Sequence, residues 1–277
     1  MSLKDFVSQT VEGLFFECTT RRYWRFEHFG LQGEEGLLPM PAGASTEAPI
    51  SYWFLPAQPN DNGPVRGTVL FCHAGTHSMG FHLPQISWLV PAGYNVLMFD
   101  YHGAGLSEGR PSLSGILEDA RAMLTYAQSR PDVKGRPLAL FGQGMGAFAA
   151  AVLASEAKTG EIAAVVLESM YATHRGWMLR RYGPGIGHFC AAMLPTGVVN
   201  PIDALQAIRQ PLAIVTPAKD QKTPEKEVDD VVHAAPAQRE IWRVEGKKFL
   251  GVFDFPSEWR ERFLDFLAQS VKRSKAK

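Results

Sequence analysis

From Gly67 onward, apolar runs of strand length keep returning between stretches of helical length. GTVLFC, NVLMFD, PLALFG, IAAVVLE, PLAIVT and REIWRV alternate with segments such as SLSGILEDARAMLTYAQSR and SEWRERFLDFLAQSV, whose apolar residues recur every three or four positions. Strands joined through helices pair in parallel, and a parallel sheet needs both faces covered. The alternation therefore predicts an α/β fold: a mostly parallel central sheet flanked by helices. Two earlier runs, YWRFEHF and ISYWFL, lie among Gly/Pro-rich linkers with no evident helix between them, which predicts antiparallel strands at one edge. A chain of 277 residues can bury one large core, so 1–277 reads as a single domain.

Charge narrows the partners. The 28 basic residues cancel 28 acidic ones, so no global field draws in nucleic acid or an anionic membrane. The opening stretch MSLKDFVSQTVEGLFF carries Lys4 and Asp5 and no long apolar core, which fits neither a signal peptide nor a membrane span and predicts a cytoplasmic protein. Cys18, Cys72 and Cys190 lie far apart without a CxxC pair, so free thiols are expected. The terminal VKRSKAK reads as a solvated helix end. A small molecule is the partner this composition admits; no cofactor is implied, and the oligomeric state is not legible.

The stretch Leu138–Ala150, LALFGQGMGAFAA, reads as a strand, a tight glycine turn and a helix. That arrangement presents a nucleophile when the apex residue is serine, and a phosphate when the glycines are spaced for one. Its apex is Gly144. FCHAGTHS and FDYHGAGLSEG follow earlier strands, and TPAKDQKTP follows a later one. In this order the four motifs resemble those of the α/β-hydrolase superfamily across roughly residues 50–270, particularly its compact members with a short lid.

The resemblance implies an α/β-hydrolase fold and a role for each motif. His73, Ala74 and Gly75 match the His-Gly loop, where the backbone N–H near Gly75 would be one oxyanion donor and that of Met145 the second. DYHGAGLSEG resembles the Asp-x-Arg-Gly-x-Gly-x-Ser turn, a structural element, with His102 in place of the arginine. Asp220 matches the triad acid, and Phe249 stands at the histidine place with Lys248 beside it; no histidine follows His233. The longer insertion between IAAVVLE and PLAIVT, about 170–210, reads as a small lid over the strands' carboxyl ends. Trp177, Tyr182, Phe189 and Met193 are its candidate pocket-lining residues, while Arg175, Arg180 and Arg181 make a solvated face or meet an anionic ligand.

Acyl transfer needs a hydroxyl to attack and an imidazole to carry its proton, and neither Gly144 nor Phe249 supplies one. Removing such a unit costs on the order of a million-fold in turnover. The expectation is a non-catalytic protein that binds a small ligand or a partner, with His73, Gly75, Met145 and Lys248 as ligand-contacting candidates. One alternative is an esterase-like hydrolase whose site is rebuilt from Ser169, Cys72, Ser78 or Lys248. A second is a dinucleotide-binding protein, because Gly142, Gly144 and Ala147 spell G-x-G-x-x-A and Glu168 follows 21 residues after Ala147. Cys72, His73, His77 and His82 cluster in sequence, but their glycine-containing loop is poorly suited to helical ligand spacing, and no metal site is expected.

Overall fold

The computed structural model describes residues 3–21, 23–59 and 63–275. Its main sheet has eight strands: β1 (Glu34–Leu38), β2 (Ile50–Leu55), β3 (Gly67–Cys72), β4 (Tyr94–Phe99), β5 (Leu138–Gln143), β6 (Ala164–Glu168), β7 (Leu212–Pro217) and β8 (Arg239–Val244). They lie side by side in the order β8-β7-β6-β5-β3-β4-β2-β1. β2 runs antiparallel to both its neighbours, and every other pairing is parallel. The helices are α1 (Leu3–Gly13), α2 (Met79–Ile86), α3 (Leu113–Ser129), α4 (Met145–Glu156), α5 (His174–Ala192), α6 (Pro201–Gln206), α7 (Glu225–Ala234) and α8 (Glu258–Lys275). The last two residues of VKRSKAK lie outside the described residues.

Strands β2 to β7 are buried at every position, which explains why they read as continuous apolar runs rather than alternations. Successive side chains enter opposite cores. Leu70, Leu97, Leu140 and Leu167 join α3 and α4 on one face, whereas Phe71, Met98, Phe141 and Val166 join α2 and α8 on the other. Phe253, from the loop after β8, packs edge-on against Phe141 at 5.5 Å and Phe263 at 5.4 Å. Burying one such ring is worth about 1.5–3 kcal/mol, so the loop between β8 and α8 is anchored to the sheet.

One expected strand is absent. YWRFEHF forms a 3-10 turn over Phe26–Phe29, and the edge strand is the more polar EEGLL. Phe26 is drawn inward onto Trp53, with ring centroids 5.4 Å apart, while Trp24 stays exposed. Tertiary packing of one ring overrides a local pattern rich in β-formers.

The turn Asp100–Gly109 acts as a crosslink, in keeping with a structural role. Asp100 Oδ1 accepts from Met79 N at 2.6 Å, and Ser107 Oγ donates to the Asp100 carbonyl while accepting from Ser51 N. His102 Nδ1 donates to Asp119 Oδ1 at 2.6 Å, its N–H donates to Asp119 Oδ2, and Nε2 donates to the Ala48 carbonyl. Burial pulls the His102 pKa down, but the hydrogen bond and charge of Asp119 outweigh it and the net shift is upward. Burial also raises the Asp119 pKa, and the His102 ring does the bridging that an arginine would do. Asp119→Asn removes one charge and one acceptor, and should cost about 1–3 kcal/mol, read as a fall of a few degrees in Tm.

Candidate functional site

At the end of β5 the chain turns sharply at Gly144 (φ 55°, ψ −113°) and enters α4 at Met145. The left-handed φ favours glycine, and the turn is held by Gly144 N donating to the Glu168 carbonyl at 2.9 Å. The helix packs closely on the neighbouring strand: a Cβ on Gly146 would lie 1.9 Å from the Cys72 carbonyl oxygen. Gly142, Gly146 and Ala147 therefore serve strand–helix contact.

The space above the apex is taken. A Cβ on Gly144 would stand 3.0 Å from Phe249 Cζ, 3.3 Å from its Cε2 and 3.4 Å from Ala74 Cβ. Phe249 is carried on a turn closed by Gly251 N donating to Lys248 O, with Leu250 at φ 59°. Lys222 Nζ lies 5.3 Å from the centre of the Phe249 ring.

Gly75, Gly144, Met145, Ser169 and Phe249 line one narrow, partly open cleft, with Phe15 and Trp177 also on its wall. Its free volume is 40 Å³, against about 10–15 Å³ needed to hold one water and about 300–1,000 Å³ for an ordinary ligand pocket. The cleft is narrowed by the segment Leu14–Cys18, which places Phe15 and Glu17 on its wall. Glu12, at the end of α1, accepts from Leu113 N at 2.8 Å and so docks α1 on the start of α3. Beyond α1, Phe15 stacks on Trp177 of α5 at 4.5 Å, and the Tyr182 hydroxyl donates to Leu14 O. Glu17 N donates to Gly75 O at 2.7 Å, and Glu17 and Cys18 pair in parallel with Thr76 and His77. The Glu17 carboxylate meets Arg181 at 2.9 Å and Lys222 at 3.3 Å.

Of the residues singled out in the sequence, Gly75, Gly144, Met145, Ser169 and Phe249 are brought together. Asp220 is buried on the loop after β7, its carboxylate accepting from Lys222 N, Thr223 N and the Thr223 hydroxyl, so its oxygens are turned into their own loop. His73 is not on the cleft: it is buried beneath the loop, its Nδ1 donating to the Ala74 carbonyl and its ring stacked on His82 at 5.0 Å. Burial holds its pKa well below the ordinary histidine value. Lys248 is exposed and does not line the cleft; Lys222 and Thr223 do.

Of the four aromatic or apolar residues proposed to line the pocket from the insertion, Trp177 alone does. Tyr182 ties α5 to Leu14, Met193 packs against the core, and Phe189, beyond the kink at Gly183, is 62% exposed. Arg180 pairs with Glu227, and Arg181 with Glu17. Glu168 is fully buried, taking a 2.7 Å hydrogen bond from Gln143 Nε2, and burial raises its pKa to about 8. That position keeps its carboxyl from a ribose, which removes the geometric support for a dinucleotide site. Among the described residues no group of three His, Cys, Asp or Glu side chains is gathered as a metal would require.

Two features were missed by sequence reasoning. One is the closing segment itself, signalled only by the pair Phe15-Phe16 after a helix. The other is backbone strain: His77 (φ 60°), Ser169 (φ 54°) and Leu250 (φ 59°) are non-glycine residues in the left-handed region, and all three stand at or beside the cleft. The buried Ser169 Oγ finds no hydrogen-bond partner among the described residues. Strain of this kind, about 1–3 kcal/mol each, gathers at functional sites and switch regions.

Residues 63–230, more than half of the chain, match the family model Hydrolase_4, described as serine aminopeptidase, S33. YfhR of Escherichia coli O157:H7 is 32% identical over 139 residues, covering 50% of this chain and 49% of that protein. The alpha/beta hydrolase domain-containing protein WAV2 of Arabidopsis thaliana is 28% identical over 185 residues, covering 63% and 59%. The match thus spans about half the length of YfhR and somewhat more of WAV2. Among solved structures, the Pyrococcus furiosus esterase Pf2001 aligns with a TM-score of 0.70 at 22% identity, covering 92% of this chain and 97% of that one. An alpha-beta hydrolase from Vibrio vulnificus aligns with a TM-score of 0.71 at 17% identity, covering 98% and 95%. Among the described residues no helix is long and apolar enough to cross a membrane.

Proposed function

The chain belongs to the Hydrolase_4 family, serine aminopeptidase S33, with an α/β-hydrolase fold, and from that premise we propose that it is a non-hydrolytic member that binds a small molecule at the inherited cleft. The observation that carries this reading is the Phe249 ring packed on Gly144. We read Gly144 as the nucleophile position and Phe249 as the base position. The apex then lacks the attacking hydroxyl, the ring fills the space a serine side chain needs, and no imidazole replaces it. We read Asp220 as the acid position; its carboxylate is satisfied within its own loop, as suits an acid with no histidine to orient.

A broad fluorophosphonate probe followed by intact mass tests the reading, with an active serine hydrolase as control. The expected result is an unmodified protein. A stoichiometric adduct on one residue would overturn it. Ser169 is the one residue that favours the second reading, an esterase-like hydrolase with a rebuilt site, since its strained backbone and unpartnered hydroxyl stand on the cleft wall. An adduct mapped to Ser169 would establish that alternative.

A further inference from the structure

We propose that the segment Leu14–Cys18 is an internal ligand of the cleft, and that the external ligand whose place it takes is a small carboxylate with an aromatic body. The segment makes two kinds of contact that a separate molecule would make. Phe15 enters an aromatic slot, stacked on Trp177 at 4.5 Å and meeting His174 edge-on at 5.6 Å. Two residues on, the Glu17 carboxylate accepts from two cations of different elements, Arg181 of α5 and Lys222 of the loop after β7. One ring and one carboxylate therefore account for the side-chain hold of the segment on the insertion and on the loop bearing Asp220.

The backbone is held by a two-residue parallel pairing, the hydrogen bond from Glu17 N to Gly75 O and that from the Tyr182 hydroxyl to Leu14 O. A second observation points to a ligand independently. Ser169 Oγ, buried on the cleft wall, is a donor that the segment leaves without a partner. A molecule that enters when the segment lifts has that hydroxyl available as well as the two cations.

The exposed ion pairs are individually weak, so their exchange for an incoming carboxylate is easy. The tether works in the other direction. A segment attached to its own site competes at an effective concentration in the millimolar range, which lowers the apparent affinity of the external ligand. The free volume of 40 Å³ describes the closed state, in which the segment occupies the place the ligand would take.

The inference rests on the non-hydrolytic reading only for the fate of the ligand, which is held and not turned over. The test uses the whole chain with 3-phenylpropionate as probe, titrated by calorimetry and followed by amide hydrogen exchange. Binding is expected to speed exchange at residues 14–18, above all at the Glu17 amide. Glu17→Gln, which releases Arg181 and Lys222, is expected to tighten probe binding by about three- to tenfold. The alcohol 3-phenylpropanol, without the carboxylate, is expected to bind at least about tenfold more weakly than the acid. Binding that leaves exchange at 14–18 unchanged or slower overturns the proposal, as does a Glu17→Gln variant that binds no tighter, or an absence of binding to both proteins at millimolar probe. Methyl 3-phenylpropionate is assayed in parallel. Its hydrolysis would remove the non-hydrolytic reading and leave the internal ligand standing, whereas an inert ester with an unmoved segment removes the internal ligand alone.

Discussion

Gly144→Ser is expected to destabilise the protein by about 2–5 kcal/mol and to create no esterase activity. Two costs add. The apex holds φ 55° and ψ −113°, where any Cβ is strained, and that Cβ would arrive 3.0 Å from Phe249 Cζ with a hydroxyl beyond it. Activity does not follow, because the hydroxyl would meet a phenyl ring in place of an imidazole. A double-mutant cycle with Phe249→Ala separates the two costs: the ring's removal should relieve the packing cost and leave the backbone cost. Urea unfolding of the four proteins is expected to show the double variant about 1–2 kcal/mol more stable than the sum of the singles predicts. Strict additivity would mean that Phe249 yields freely and does not guard the apex, and p-nitrophenyl ester turnover by the serine variant would show a base that the geometry lacks.

The same pair shows what a single sequence reveals. Gly144 and Phe249 are far apart in the chain, yet the sequence pairs them because each sits at a fixed point in a chain-ordered set of strand-end motifs, and the folded chain packs one on the other. The central strands were legible for a related reason: burial on both faces leaves an unbroken apolar run. The edge was not, since β1 faces solvent and carries Glu34 and Glu35, while the stretch that looked like a strand is curled by the burial of Phe26. His73 was misplaced because its motif gives the loop but not the direction of the ring, and the ring turns inward to stack on His82. The segment Leu14–Cys18 left no periodic trace. Its role depends on contacts such as Phe15 with Trp177, which only the folded chain brings together.

Glu168→Gln is expected to match the wild type in stability at acidic pH and to exceed it increasingly as pH rises. The carboxyl of Glu168 ends β6 with no exposed surface; burial, reinforced by the negative charges of Asp254 and Asp220, raises its pKa to about 8 against the opposing hydrogen bond from Gln143. In the unfolded chain it titrates near its ordinary value of 4.5. Between these values the native state keeps a proton that the unfolded state has released. Its contribution to stability is therefore complete below pH 4.5 and is lost as pH rises toward 8, at up to about 1.4 kcal/mol per pH unit. Glutamine has the shape of the protonated acid and does not titrate, so the two proteins should be similar near pH 5 and the variant more stable by several kcal/mol above pH 8. Buried His82 and His174 act at the other end: burial lowers both to about 4, so their neutral forms favour the native state above the ordinary histidine value of 6.5 and that contribution fades as pH falls toward 4. Those acid losses are common to both proteins and cancel in the comparison. Urea unfolding at pH 5, 7 and 9 should then give a difference that grows with pH. Parallel curves would mean that Glu168 is ionised in the native state, and that Gln143 beside the Gly144 turn donates to a carboxylate in place of a neutral carboxyl.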